Sequence, residues 1–260
     1  AVKRIKDWEE LTIQDNFLFQ KVMRNKRLCQ YLIKKILQIK IADITYPDTE
    51  KTIDIRLDSK SIRLDVYVKD NTGQVFDIEM QCTNEKENGL AKRTRYYQAM
   101  IDMDVLEKDD DYSKLNPAYI IFICTFDAFD QGLPMYTFRN RCVEQEGIEL
   151  NDEATKIFLN SKGDSPTLDP DVRAFLRYVD GKAAEGVFVQ EVDKEVRRVK
   201  QHDETRREYM TLAMELKRMF AEGEKTGEEK GAKKKETMMI LAMLQDGVAK
   251  EAIAKYAKVS

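Results

Sequence analysis

The sequence predicts an α/β domain, a mixed sheet flanked by helices, followed by a helical extension. Three observations carry this reading. Apolar residues recur at helical spacing on either side of a block of short, strand-like runs. The stretch A-Y-I-I-F-I-C-T-F over 118–126 is apolar without interruption, as in a strand buried on both faces. After Gly163 the chain becomes charged and helical in pattern. Strands mixed with flanking helices build an α/β core.

The first helix is expected over Leu11–Met23, with Thr12 as its cap and Asp15 completing a capping box. A second is expected over Leu28–Leu37, apolar at Leu28, Leu32, Ile33, Ile36 and Leu37. A turn at Pro47 leads to three strand-like runs near Thr52–Leu57, Ser61–Lys69 and Gln74–Cys82. Ala91–Leu106 reads as a helix, 118–126 as the buried strand, Tyr136–Cys142 as its partner and Ile157–Leu159 as a short strand. Asp169-Pro170-Asp171 opens a helix at Val172. From Glu185 the pattern is helical for about ten turns. Gly223, Gly227 and Gly231 then recur among Glu and Lys, which reads as a solvated connector before a last apolar helix over Met238–Leu244 and a short one over Glu251–Ala257. The expected division is 1–163 for the α/β domain, 164–222 for the helical extension, and 223–260 for the flexible connector and C-terminal helical segment.

Composition narrows the chemistry. No apolar run approaches the length of a membrane span, and no secretory segment is expected. Cys29, Cys82, Cys124 and Cys142 form no C-x-x-C pair and lie in or beside apolar runs, which reads as reduced thiols in the cytoplasm. The chain holds one histidine, His202, so multi-histidine metal sites are excluded. Any metal is held by oxygen, which favours magnesium, manganese or calcium. The net charge of −3 argues against nonspecific coating of nucleic acid, though not against a local basic groove.

The informative segment is S-I-R-L-D-V-Y-V-K-D-N-T-G-Q-V-F-D-I-E-M-Q, from Ser61 to Gln81. Ile62, Leu64, Val66 and Val68 alternate with Arg63, Asp65, Tyr67 and Lys69. On the return, Phe76, Ile78 and Met80 alternate with Asp77, Glu79 and Gln81. Asn71-Thr72-Gly73 fits a three-residue hairpin loop with Gly73 in the left-handed region, pairing Asp70 with Gln74. Counting back, Tyr67 faces Asp77, Asp65 faces Glu79 and Arg63 faces Gln81. A one-residue slip would send the apolar sets to opposite faces. Asp65 and Glu79 then have Cβ atoms about 5 Å apart, unfavourable for like charges unless a cation lies between them. A divalent cation there would acidify a bound water and polarise a phosphate, with Arg63 and Lys69 positioned for phosphate oxygens. By pattern alone the same alternation also describes a solvent-exposed polar face.

These residues resemble the PD-(D/E)XK nuclease superfamily, in particular its transposase-like branch of recombination-promoting nucleases. The likeness rests on R-L-D-V-Y-V-K-D around Asp65, D-I-E-M-Q around Glu79, K-R-T-R-Y-Y-Q-A-M-I-D over 92–102, A-Y-I-I-F-I-C-T-F, G-L-P-M-Y-T-F-R-N-R-C and I-F-L-N, in order from about Leu11 to Gly163. The resemblance implies a restriction-endonuclease-like sheet and magnesium-dependent cleavage of DNA phosphodiesters, with manganese as a substitute ion. It is linked to recombination, mobile elements or defence against foreign DNA. It implies Asp65, Glu79 and the backbone carbonyl of Met80 as metal ligands, with Gln81 where the motif has lysine. Glutamine carries no charge and cannot serve as a base, but its amide oxygen can orient water. Modest, manganese-stimulated activity is expected, and Gln81→Lys is expected to keep or raise it. Arg93 and Tyr97, one helical turn apart, are expected to clamp and position phosphate. Asp15 reads as a cap rather than a site residue, and Asp77 as a candidate second-metal ligand.

The tail is similar to tails of the same branch, and its ending to the first half of a helix-turn-helix. Self-association as a homodimer, or internal control, is favoured over DNA contact, because the acidic stretch over Glu222–Glu229 suits solvent better than phosphate. Two readings compete with the endonuclease: a nuclease-fold DNA- or protein-binding protein that has lost cleavage, and an interaction scaffold dominated by the long helix.

Overall fold

The structure is a computed structural model that describes residues 4–47, 52–53, 62–84 and 89–245. It divides into two compact units, one of Glu9–Asp203 and one of Ala1–Trp8 with Glu204–Ser260.

The larger unit opens with two helices, α1 (Asn16–Met23) and α2 (Lys26–Leu37). The first begins later than expected. Asp15 forms only part of a capping box, its carboxylate accepting from the Thr12 N–H at 2.8 Å, while residues 12–15 stay in a turn. Asn25 caps α2 by accepting from the Leu28 N–H.

Among the described residues, eight strands follow in chain order: β1 (Ile44–Thr45), β2 (Thr52–Ile53), β3 (Ile62–Arg63), β4 (Val66–Asp70), β5 (Val75–Gln81), β6 (Ala118–Cys124), β7 (Met135–Phe138) and β8 (Ala154–Asn160). Six of them form one mixed sheet in the order β1-β4-β5-β6-β8-β7, and β2 and β3 pair separately. Of the expected strand after Pro47, Thr52 and Ile53 form β2, and residues 54–57 lie outside the described residues.

The hairpin has the register that its turn requires. Tyr67 faces Asp77, Val68 faces Phe76 and Lys69 faces Val75. The Asp70 N–H donates to the Gln74 carbonyl at 3.0 Å. Gly73 has φ +89°, and a Cβ there would meet Asn116 at 2.8 Å, so only glycine suits the position. The pairing stops at Val66, however. Arg63 pairs with Thr52 in the small sheet and not with Gln81.

β5 to β6 is a parallel step, and parallel neighbours need a crossover. The crossover is α3 (Leu90–Val105), which packs against β6. β6 and β8 are also parallel, and β7 pairs antiparallel with β8 at the sheet edge. Residues 136–142 were expected to partner the central strand. That place is taken by β8, whose seven residues continue the buried apolar layer with Ile157, Phe158 and Leu159.

All seven residues of β5 are buried. The face carrying Phe76, Ile78 and Met80 lies on the side of α1, which packs against β5, and of the helices around it. The opposite face is covered as well. Tyr67, Val75, Ile120 and Phe122 form one core with Tyr97, Met100 and Ile101 of α3. A polar alternation that suggested solvent is therefore an interior face.

α4 (Pro170–Val179) starts at Asp169, whose side chain accepts from the Asp171 and Val172 N–H groups, with Pro170 in the first turn; such a cap contributes about 1 kcal/mol. α5 (Val187–Lys200) follows, and both helices join the layer of α1 and α2 through Val172, Phe175, Leu176, Val189 and Val192, all nearly inaccessible. Cys29 and Cys124 are buried and Cys82 and Cys142 half-buried, all as free thiols.

In the smaller unit the main element is α6 (Asp203–Gln245). Its Tyr209 hydroxyl donates to the Lys6 carbonyl and its ring lies 5.7 Å from that of Trp8. Gly223, Gly227 and Gly231 do not interrupt it. They sit in continuous helix among Glu and Lys, where turn-spaced pairs such as Arg218–Glu222 offset part of the glycine penalty. The expected helix over Met238–Leu244 is the end of the same element, and residues 251–257 lie outside the described residues. Among the described residues, no helix is long and apolar enough to cross a membrane.

Candidate active site

The hairpin ladder explains the geometry at Asp65. Even-numbered positions of β4 are its hydrogen-bonded partners, as Asp70 with Gln74 shows, so the next pair past Val66–Ile78 would be Leu64–Met80. The chain turns away instead, and side chains replace the missing ladder. The Met80 N–H donates to Asp65 Oδ2 at 3.0 Å, and the Asp65 N–H donates to Glu79 Oε1 at 2.8 Å. Each carboxylate thus secures the backbone of the strand opposite. In an extended residue the carbonyl leaves on the same side as the N–H, so the Met80 carbonyl faces the gap that Asp65 occupies.

The remaining oxygens are held from the two helical layers. Asp65 Oδ1 accepts from Gln20 Nε2 at 2.9 Å and from Asn16 Nδ2 at 3.4 Å. Glu79 Oε2 accepts from Arg93 Nη2 at 3.1 Å. The Glu79 side chain is 3% exposed and that of Arg93 is 32%, so the guanidinium forms the mouth and the carboxylate the floor.

Arg93 is further fixed by Gln81, whose Oε1 accepts from Arg93 Nη1 at 3.0 Å. The other end of that amide donates to the Thr83 carbonyl at 2.8 Å. The guanidinium carbon lies 4.9 Å from the Phe122 ring centroid and 5.2 Å from that of Tyr97, so the cation rests over two neighbouring aromatic rings.

The electrostatics are those of a crowded acidic interior. Burial, then the charge of Asp65, push the Glu79 carboxyl well above the usual range, and Arg93 only partly offsets this. Asp77 is fully buried on the same face, with no hydrogen-bond partner for either oxygen. Burial, then the charges of Glu79 and Asp65, keep it protonated far above its ordinary value. Burying carboxylates in this way costs several kcal/mol, and such perturbed groups cluster at functional sites.

The structure therefore brings together Asp65, Glu79, Met80, Gln81, Arg93 and Tyr97. It does not bring Lys69 to them. Lys69 is four residues along β4 from Asp65, about 13 Å at the strand rise, and its ammonium lies over the Tyr67 ring. The Arg63 side chain lies outside the described residues, and its backbone leaves the sheet with β3. Asp77 lies on the same face as Glu79 but is fully buried beneath it. Asn16 and Gln20 were missed by the sequence reading. Their i, i+4 spacing at the start of α1 was the available signal, since it puts two amides on one helix face.

Among the described residues, no group of three His, Cys, Asp or Glu side chains is arranged to hold a metal. The donor set at this site is of another kind, two carboxylates and a main-chain carbonyl, all oxygen, and oxygen donors suit a hard divalent cation.

A mixed sheet with an antiparallel hairpin continued by parallel strands, helices on both faces and further helices at the C-terminal end is a restriction-endonuclease-like α/β fold. The profile of PD-(D/E)XK nuclease family transposases matches residues 16–163, more than half of the chain. The chain belongs to this PD-(D/E)XK nuclease family, whose members generally use divalent metals. No curated protein and no solved structure gives a significant match.

Proposed function

We propose that this protein is a metal-dependent DNA endonuclease that hydrolyses phosphodiester bonds. The observation that carries the reading is the reciprocal lock of Asp65 and Glu79 around Met80. It places a buried carboxylate, Glu79, and a half-buried one, Asp65, where the hairpin ladder opens.

Asp65, Glu79 and the Met80 carbonyl would hold magnesium or manganese. A bound cation supplies Lewis-acid polarisation of the phosphate and an acidified water. Asn16 and Gln20 orient Asp65, and the backbone N–H of Asp65 orients Glu79. Gln81 neither carries charge nor has a free amide end, so the positive charge of the motif lysine falls to Arg93. Arg93 donates toward the phosphate as charge accumulates on it, held in place by Gln81, Phe122 and Tyr97. Tyr97 keeps its phenol proton, because burial and then the charge of Glu79 oppose ionisation, so it serves as a donor or a wall and not as a base. The reading includes a DNA substrate, cytoplasmic action in recombination, mobile-element biology or defence, and self-association through the C-terminal helices.

One observation favours the inactive alternative. Arg93 neutralises Glu79 and takes the Gln81 oxygen that the sequence reading left for water. Incubation with supercoiled plasmid in magnesium, manganese, calcium or chelator, beside Asp65→Ala, separates the two. Cleavage that requires magnesium or manganese and vanishes in Asp65→Ala supports the nuclease. An intact plasmid under every metal, with DNA still bound, moves the assignment to a nuclease-fold binding protein.

A further inference from the structure

Beside the carboxylates, at the carboxyl ends of the parallel strands, lies a cavity of about 300 Å³. Phe126, Phe129, Phe158 and Leu90 line its apolar part. Gln81 and Arg93, the pair that closes the candidate active site, line it too. The cavity and the carboxylates therefore share a wall. Further along the lining, Thr83, Asn84 and Asp130 provide hydrogen-bonding groups at the exposed rim.

The loop that carries Ala128 and Phe129 is set in advance. Asp127 accepts from the Phe129 N–H at 3.0 Å, from the Gly132 N–H at 2.6 Å and from the Tyr136 hydroxyl at 2.7 Å. Phe129 also sits edge-on to Phe158, with ring centroids 5.0 Å apart. A site that is already formed costs little ordering on binding.

The volume is at the small end for ligand sites, enough for a single heterocycle and too small for a base pair. Aromatic walls with a polar rim are the chemistry that receives an unpaired base, stacked on rings and hydrogen-bonded at its edge. A nucleotide whose phosphate meets Arg93 has its base within reach of this cavity.

We propose that the cavity is a nucleobase subsite, receiving one unpaired base of the strand whose phosphate lies at Arg93. Only the choice of that strand rests on the nuclease reading. Recognition is tolerant of base identity, since every base has a face to stack and the walls are rings.

The test compares binding of the full chain, in calcium, to a fluorescein-labelled six-nucleotide thymidine strand and to an abasic strand of equal length and charge. Anisotropy titration gives the ratio of the two affinities. The intact protein should prefer the strand with bases by about 10-fold, the scale of one stacked base. Ala128→Trp, which fills the cavity, should bring the ratio to within about twofold, at unchanged affinity for the abasic strand. Phe126→Ala, which removes a stacking face, should lower it in the same direction and serves if the tryptophan variant melts early. Equal affinities in the intact protein, or a preference that survives both variants, overturns the subsite. Plasmid cleavage in magnesium is read alongside. A preference that Ala128→Trp abolishes, with no cleavage, keeps the subsite and removes the nuclease. Cleavage that needs Asp65, with a preference indifferent to Ala128 and Phe126, does the reverse.

Discussion

Arg93 reaches across from α3 and donates to Gln81 Oε1 at 3.0 Å, so the residue standing at the motif's lysine position holds the site's cation instead of supplying it. The same guanidinium donates to Glu79 at 3.1 Å. β5 (Val75–Gln81) carries no cationic side chain of its own, and the positive charge beside Glu79 comes from α3.

Arg93→Ala should lower plasmid cleavage by about 10²–10³-fold, the usual loss when one donor to developing charge is removed. Arg93→Lys should recover only part of this, since an ammonium cannot bond Glu79 and Gln81 through one planar fork. Initial rates in magnesium at fixed protein concentration measure both. An Arg93→Ala variant within threefold of the parent would show that the charge comes from elsewhere.

Gln81→Lys is the change for which structure and sequence disagree. From the motif alone it should keep or raise activity. In the fold, a lysine there loses the acceptor for Arg93 and sets two cations side by side. Activity should fall about 10-fold or more, and Gln81→Lys with Arg93→Gln should recover part of the loss. A single variant more active than the parent would restore the sequence-based expectation.

Stability should depend on pH through Glu79. Its folded value is pushed above the ordinary glutamate range, to about 8. Across that window the folded chain holds a proton that the unfolded chain has released. The contribution is therefore complete below the ordinary range and is lost as pH rises toward 8. Asp77 acts in the same direction. Melting temperature in chelator should fall from pH 5 to pH 8, and Glu79→Gln should flatten the fall. Magnesium or manganese should raise the melting temperature more at pH 8 than at pH 6, because binding requires the ionised carboxylate. A metal effect independent of pH would argue against Glu79 as a ligand.

Truncation should distinguish the unit from the family segment. A chain ending after Gly163 loses α4 and α5, exposing the layer that Phe175, Leu176, Val189 and Val192 close. It should fail to fold cooperatively, although the expected division placed the whole α/β domain within residues 1–163. A chain ending after Asp203 keeps the larger unit and should keep cleavage within a few-fold, while sedimentation should show a monomer where the full chain gives the proposed dimer. A dimer that persists in the shorter chain would move self-association away from α6.

The sequence by itself determined the local elements and one register. Hairpin pairing follows from a short loop and a period of two, so Tyr67 opposite Asp77 was countable from Gly73. The apolar run at Ala118–Cys124 could only be interior, and Asp169-Pro170 could only begin a helix. Where the polar face of β5 points was decided by the tertiary structure. Alternation separates two faces but does not say what covers either, and here α3 covers the acidic one. The break at Asp65 was equally invisible, because Arg63 joins a second sheet that a residue period cannot announce. Asn16, Gln20 and Arg93 reach the carboxylates from helices 14 to 49 positions away in the chain. Such contacts arise from how layers pack, and packing is a property of the whole chain rather than of any window within it.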